Sequence, residues 1–495
     1  MGPLIAMSSD RQASHQDEQR RALALAFSRA GLTPEQLWTR YFALGGAAGL
    51  MEVEAYLHGL MPLPALQRDM LAHAINERLD ELTWPQRVPY TFPARGSSPR
   101  TGPLAGLVGL LDGMHKAPPE RLPAAAARAG RALGLRIAIY LVDYDQQTLH
   151  PLHDPEDPHR VPLGVDTSLP GRAFRTVQTL TSDSGGHPQL WVPLLDGVER
   201  LGVLGVTPTG GADLHDPELH LWCRWLSTLI GHLVTISTGY GDGLDAIRLQ
   251  RQRAPAADLI WQLLPPLTAA TDGFVLAGVL EPCYEVGGDA FDYTLSPTTA
   301  SLAIFDAVGH TLRSGFVAAA ALAACRSNRR VGHGLFEQAR AIDETISGQF
   351  PDGAFATGVL AELDLGSGRL RYLNAGHPPP LVLRSGKVVK RLTGGRRLPF
   401  GRGTGELTIA EETLQPGDWL VLHTDGITEA RDDAGELFGE RRLTDFLERE
   451  AAAQNPPPET ARRLVKAVLA HQNGALRDDA SILLARWMKS GEPGL

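Results

Sequence analysis

The sequence predicts an α/β multidomain protein: a small helical region first, an α/β region in the middle, and a C-terminal region of buried strands. Three observations carry this. The 495 residues are 43% hydrophobic, which gives the length of about three domains and apolar material for a core in each. Apolar residues follow helical spacing before residue 83, then shift to short strand-like runs with turn signals between them. The strands beyond residue 270 are apolar on both alternating faces, as expected of strands held between another sheet and a layer of helices.

Composition narrows the function. A formal net charge of -9 and a pI near 6.0 give no general attraction to nucleic acid or to an anionic membrane, and no basic tail is present. Cys223, Cys283 and Cys325 lie at spacings that suit neither a disulfide framework nor a cysteine zinc site, which fits a reducing cytoplasm. The start, MGPLIAMSSDRQ, lacks a signal-peptide pattern and has Ala6 where myristoylation wants Ser or Thr. No stretch reaches the ~18 apolar residues of a membrane span, so a cytoplasmic protein is expected.

Residues 1–83 form the helical N-terminal domain, with Thr33 and Pro34 as cap and first-turn proline of one helix. His58, His73 and Asn76 fall in it without a constellation that suggests chemistry, so a folded interaction or spacer domain is expected. The Pro/Gly/Ser-rich stretch 84–103 is a linker. Residues 104–240 run from an Ala-rich helix to the strand RIAIYLVDYD, then LPGRAFRTVQT, then two strands joined through Asp196-Gly197 as a hairpin. This order resembles a GAF domain. The resemblance implies a sensory or dimerising module, either with a small-molecule ligand or without one; no Cys or His is placed to hold a chromophore or haem. Residues 241–268, with Leu244, Ile247, Leu259, Ile260, Leu263 and Leu264 near helical spacing and a break at Pro255, read as a connecting helix. Such a helix either transmits a signal or simply packs, and a homodimer through it is expected.

The C-terminal region, 269–490, holds four acidic punctuations: Gly287-Gly288-Asp289, Asp306 within FDAVGH, Asp425 within HTDG, and Asp478-Asp479 before ASILLARW. Taken alone, Asp306 could simply cap a helix or start a turn. Each acid sits where a strand begins or ends. Carboxylates delivered to one rim by different strands repel unless a cation neutralises them. Oxygen-only donors suit Mg²⁺ or Mn²⁺ rather than zinc, and two such ions could activate a water for in-line displacement at phosphorus.

The ordered strings EVGGDAFDY, FDAVGH, ATGVLAELDLGSGRLRYLNAGHPPPLVL, LPFGRG, GDWLVLHTDGITEARD and RDDASILLARW resemble the SpoIIE-type branch of the metal-dependent PPM serine/threonine phosphatases, over about 256 to 487. The resemblance implies an α-β-β-α sandwich of two antiparallel sheets flanked by helices, a two-ion Mn²⁺/Mg²⁺ site, and removal of phosphate from a phosphorylated protein, usually a STAS-domain anti-anti-sigma factor in a partner-switching circuit. Carried over by residue, it makes Asp289 a metal ligand, Asp306 the ligand shared by both ions, Ala307 a backbone-carbonyl ligand, and Asp425 and Asp478 the remaining carboxylates. Adjacent strand residues face opposite ways, so only one of Asp478 and Asp479 is expected at the metals. Asp292 either supports the ligands or caps a helix. His310 either orients a ligand and moves a proton or merely packs. Asn374, Gly376 and His377 match a turn near the site, with a structural role expected.

Thr311 stands where the family often has a small residue, which would restrict the turn, and Arg313 is only a positional match to the phosphate-holding arginine of the wider superfamily. The rival reading is a weak or inactive binder that sequesters a phosphoprotein. A hydrolase of small phosphoesters would need an enclosed pocket that no segment identifies.

Overall fold

The computed structural model describes residues 19–82, 103–153, 159–184, 187–210, 213–281, 287–309, 311–403, 407–474 and 476–488. Two compact units divide the chain at residue 100. Cys283 and His310 lie outside the described residues.

The first unit contains helices α1 (19–30), α2 (Pro34–Ala43), α3 (Leu50–Leu57) and α4 (Ala65–Glu81). Thr33 caps α2 as expected: its hydroxyl receives the Gln36 N–H, the Gln36 side chain receives the Thr33 N–H, and Pro34 opens the first turn. Leu23, Leu37, Tyr41, Val53, Leu71 and Ile75 form its core.

The second unit opens with α5 (Pro103–Met114) and α6 (Leu122–Ala132), followed by six strands: β1 (Leu135–Val142), β2 (Thr148–Pro151), β3 (Leu163–Gly164), β4 (Leu180–Ser184), β5 (His187–Asp196) and β6 (Glu199–Pro208). Helix α7 (Leu169–Thr176) lies between β3 and β4, and α8 (Pro217–Thr238) follows β6. The sheet is antiparallel in the order β3-β2-β1-β6-β5-β4. Period-two alternation fills both of its faces. Leu135, Ile137, Ile139 and Leu141 join the core beneath α5, α6 and α8, while Ala138, Tyr140 and Val142 join the core beside α7. Gly197, at φ 59°, makes the β5–β6 hairpin turn that Asp196-Gly197 foretells.

The connecting segment differs from a single helix. It is two short helices, α9 (Gly243–Arg248) and α10 (Pro255–Leu263), because Pro255 lacks an N–H and can only begin the second. Leu244 is buried in the middle region's core and Ile260 in the C-terminal core.

The remaining strands are β7 (Thr268–Thr271), β8 (Phe274–Glu281), β9 (Asp289–Leu295), β10 (Thr299–Ala307), β11 (Ala356–Asp364), β12 (Arg369–Ala375), β13 (Leu381–Arg384), β14 (Lys387–Arg391), β15 (Arg396–Arg397), β16 (Ala410–Thr413), β17 (Trp419–His423) and β18 (Ala480–Trp487). They form two sheets. One has the order β15-β12-β11-β10-β9 with β16 also on β12; the other has the order β14-β13-β17-β18-β8-β7. The helices are α11 (Leu312–Arg330), α12 (Leu335–Gln349), α13 (Asp425–Thr428), α14 (Gly439–Ala452) and α15 (Pro457–His471). Alternation sets the layers. Leu420, Leu422, Leu483 and Ala485 join the core shared with the first sheet, α11 and α12, whereas Trp419, Val421, Ile482 and Leu484 meet α14 and α15. The result is a helix-sheet-sheet-helix sandwich. Among the described residues, no helix is long and apolar enough to cross a membrane.

The middle region and the sandwich belong to one unit, and a hydrogen-bonded ion network joins them. Arg462 of α15 bonds to Asp166 and Glu459, while Arg200 of β6 donates to the Pro458 carbonyl at 3.0 Å and lies 3.5 Å from Glu459.

Candidate active site

Two pairs of strand ends meet at one end of the sandwich. Asp289 starts β9 and Asp306 closes β10, and the two are direct cross-strand partners, so their side chains share a face. In the opposite sheet, Asp425 follows β17, and Asp478 and Asp479 precede β18, which pairs with β17.

Thr424 links the two sheets. Its hydroxyl donates to Asp289 Oδ2 at 2.7 Å and accepts the Ser481 N–H at 2.9 Å, and its own N–H donates to the Ser481 carbonyl. Asp479 Oδ2 receives the N–H groups of Gly287, Gly288 and Asp289 at 2.7, 2.6 and 3.2 Å. The adjacent acids therefore do divide their work: Asp479 is buried and ties down the glycine loop, while Asp478 is exposed, its Oδ1 accepting the Asp479 N–H.

Close backbone approaches demand the glycines beside these acids. A Cβ on Gly288 would stand 2.3 Å from the Ala307 carbonyl oxygen, and one on Gly426 would stand 1.8 Å from that of Asp479. The Ala307 carbonyl thus lies at the glycine loop.

The electrostatics follow from burial and like charge. Burial, then Asp425, Asp478 and Asp479, pushes Asp306 up to about 7. Burial and the charges of Asp306 and Asp479 raise Asp289 well above the carboxylate range. Asp425 is raised by burial and by Asp478 and Glu429; Asp479 is raised by burial despite its three N–H donors. No Lys, Arg or His among the described residues forms an ion pair with any of these five carboxylates. Among those residues, no group of three or more His, Cys, Asp or Glu stands gathered for a metal. The donor set nonetheless suits hard divalent cations, being oxygen throughout and in excess of negative charge.

Asp292, by contrast, lies apart from this set. Arg326 and Arg329 of α11 each donate to it at 2.7 Å, so it fastens helix to sheet. Asn374 closes the Gly376 turn: its amide donates to the His377 carbonyl and its Oδ1 receives the His377 N–H. His377 is buried 2.7 Å from Thr357 Oγ1, and burial and His423 lower it to about 3, so the ring is neutral. Thr357 is the cross-strand partner of Asp306.

Thr311 is the N-cap of α11, in extended backbone at φ −120°, which any residue adopts. It strains nothing. Its N–H donates to Ser314 Oγ, which lies 2.6 Å from the Gly287 carbonyl and so couples α11 to the glycine loop. Arg313 pairs with exposed Asp352.

Sequence reasoning missed Thr424, Ser314 and the positioning role of Asp479. The signal for Thr424 was present in HTDG, a buried hydroxyl directly before an acid.

Residues 296–488 match the family of stage II sporulation protein E, SpoIIE. This stretch is a SpoIIE-family, PP2C-type phosphatase domain. The match includes Asp306, Asp425 and Asp478 and begins just past β9, so Asp289 lies outside it. The chain is 26% identical over 276 residues to protein IcfG of Synechocystis, covering 49% of this chain and 42% of that protein. It thus spans under half the length of that curated relative. Among solved structures, the RsbU and RsbW domains of Rv1364c from Mycobacterium tuberculosis align at 26% identity over 47% of this chain and 64% of that one, with a TM-score of 0.41. The SiaA PP2C domain of Pseudomonas aeruginosa aligns at 23% identity over 47% of this chain and 94% of that one, also with a TM-score of 0.41.

Proposed function

We propose that the protein is a regulated serine/threonine phosphoprotein phosphatase whose substrate is a phosphorylated STAS-type anti-anti-sigma factor. The observation that carries this is that two sheets bring five carboxylates to one end of the sandwich, with no ion-pairing Lys, Arg or His among the described residues, and that Asp306 is pushed up to about 7. The SpoIIE-family match over 296–488 supports the reaction class.

Asp289, Asp306, Asp425 and Asp478, with the Ala307 carbonyl, are the groups to hold two Mn²⁺ or Mg²⁺ ions. Bound there, such ions supply a water of lowered pKa and neutralise charge developing on the phosphoryl oxygens. The protein's own part is positional. Asp479 fixes residues 287–289 through three N–H groups, and Thr424 holds the carboxylate of Asp289 while clamping one sheet to the other. Pre-set oxygens leave little reorganisation for the reaction itself. The middle region is read as a GAF-like sensor, joined to the catalytic sandwich by the Arg462 and Arg200 network. Buried free Cys223 and Cys325 suit a reducing cytoplasm.

The test is phosphate release from a phosphoserine STAS protein with Mn²⁺, Mg²⁺ or chelator, comparing the wild type with Asp306→Asn. Metal-dependent release that vanishes in the variant is expected. Binding of the phosphoprotein without release, in every metal, would establish the sequestering role instead.

A further inference from the structure

A cavity of about 580 Å³ lies between the middle region and the phosphatase sandwich, well away from the five carboxylates. Much of its lining is apolar, with Val198, Leu201 and Val234 from one side and Leu264 and Leu267 from the other. Its aromatic walls are Tyr144, Trp261 and Tyr293. Dimensions and lining of this kind are those of a small-molecule site.

One wall residue is out of balance. The Arg253 side chain is only 6% exposed, stacked over the rings of Tyr144 at 4.2 Å and Trp261 at 4.7 Å. Its Nη1 lies 3.8 Å from Asp258, yet its buried Nε and Nη2 have no hydrogen-bond partner among the described residues. Trp261 Nε1, on the same cavity, is likewise buried without one. A buried charged donor left unmet is costly, and these two nitrogens form the edge of a guanidinium that grips both oxygens of a carboxylate.

The neighbouring charges do not satisfy it. Asp245 receives the Tyr144 hydroxyl, Glu199 receives the Thr268 N–H at 2.5 Å, and Asp196 lies 3.5 Å from His232. Arg248 also lies over the Tyr144 ring, at 4.3 Å, its Nε committed to the Val142 carbonyl. Burial pushes Glu199 up to about 7, so the two arginines face two ionised acids and the walls are near neutral. A single negative charge held on the Arg253 edge disturbs that balance less than a dianionic phosphate would, and the aromatic and aliphatic lining favours a flat apolar body.

We propose that this cavity binds a small flat monocarboxylate, its two oxygens on Nε and Nη2 of Arg253, which Tyr144 and Trp261 hold in place, and its body along the lining of Leu201, Val234, Leu264 and Tyr293. The ligand would touch both regions at once, and its binding does not depend on the phosphatase reading.

The full chain is titrated calorimetrically with benzoate, with a library of small aromatic monocarboxylates, with the primary amide of each, and with inorganic phosphate. Expected are one-to-one saturable binding of carboxylates, amides roughly tenfold weaker or worse, and no heat from phosphate. Arg253→Lys keeps the charge but loses the two-pronged edge, and weakens binding by roughly tenfold or more. Ala269→Phe fills the cavity without touching Arg253, and abolishes binding in a chain whose circular dichroism is unchanged. The proposal is overturned if no carboxylate binds, if amides bind equally well, or if binding survives both variants. A crystal grown with the library acids that shows only ordered water on Nε and Nη2 overturns it too.

Discussion

Asp289 and Asp292 lie on the same strand, three residues apart and equally buried, at 2% and 1% exposure. An odd spacing sends them to opposite faces. Asp292 turns to α11 and receives two guanidiniums, whereas Asp289 turns to the opposing sheet and receives a hydroxyl and the repulsion of Asp306. Other buried acids of the sandwich follow Asp292: Asp343 takes Arg397 and Asp418 takes Arg384. Burial alone therefore does not separate a structural carboxylate from a chemical one. A built-in cation is what sets Asp292, Asp343 and Asp418 apart from Asp289 and Asp306.

Exchanging one acid from each class breaks the comparison most sharply. Asp306→Asn should lower metal-dependent phosphate release by roughly a thousandfold, since the ligand proposed to be shared by both ions is lost. The metal-free variant should melt higher than the wild type, because a repelling charge has gone. A lower melting temperature would mean that Asp306 is a structural acid after all. Asp292→Ala should do the reverse and destabilise the fold by about 3 kcal/mol, taking from two half-buried guanidiniums their shared carboxylate, which a shift in the urea midpoint would register.

The pH dependence should sharpen the distinction further. Asp306 is held near 7 when folded, against about 3.8 for an ordinary aspartate. The folded state thus binds that proton more tightly than the unfolded one, so this contribution to stability is whole below about pH 4 and is lost as pH rises to about 7. Metal-free protein should melt progressively lower between those values, with Asp289, Asp425 and Asp479 adding to the same trend. Saturating Mn²⁺ should flatten it, because the cation favours the ionised carboxylates. Melting curves at five pH values with and without Mn²⁺ decide the matter; a slope unchanged by metal would remove the case for these acids as ligands.

How much of this was legible in the sequence depends on how far apart the partners lie along the chain. Local pattern sufficed for the layers, since alternation in DWLVLH and ASILLARW already places Leu422 and Val421 on different faces. It also sufficed to put the acids at strand ends, each standing where an apolar run begins or finishes. The partner of Asp292 was not legible, because Arg326 and Arg329 are 34 and 37 residues away and only helix docking brings them near. Nor was Asp479, whose three N–H donors lie some 190 residues earlier, although the opposed orientation of adjacent strand residues implied that one of the pair would be diverted. The split of the connecting segment was half visible at Pro255, but nothing local said that its two helices would join different cores.

The smallest expected effect lies farthest from the site. Asp166, between β3 and α7, meets Arg462 and Lys466 of α15 across about 300 residues of sequence. Burial raises its pKa, but the hydrogen bonds from Arg462 and Lys466 outweigh that and hold it well below the carboxylate range. Its sign is therefore opposite to that of Asp306: this acid stabilises above the ordinary carboxylate range, and its contribution is lost as pH falls below it. It is a third exposed, so solvent screens the pair. Asp166→Asn should then cost about 1 kcal/mol at pH 7 and nothing measurable in strong acid. Helix α15 leads through residues 472–477 to Asp478, so the same variant asks whether the middle region steadies the site. If Mn²⁺ affinity and stability fall together, the network supports the metal ligands; if stability falls alone, it only joins the two regions.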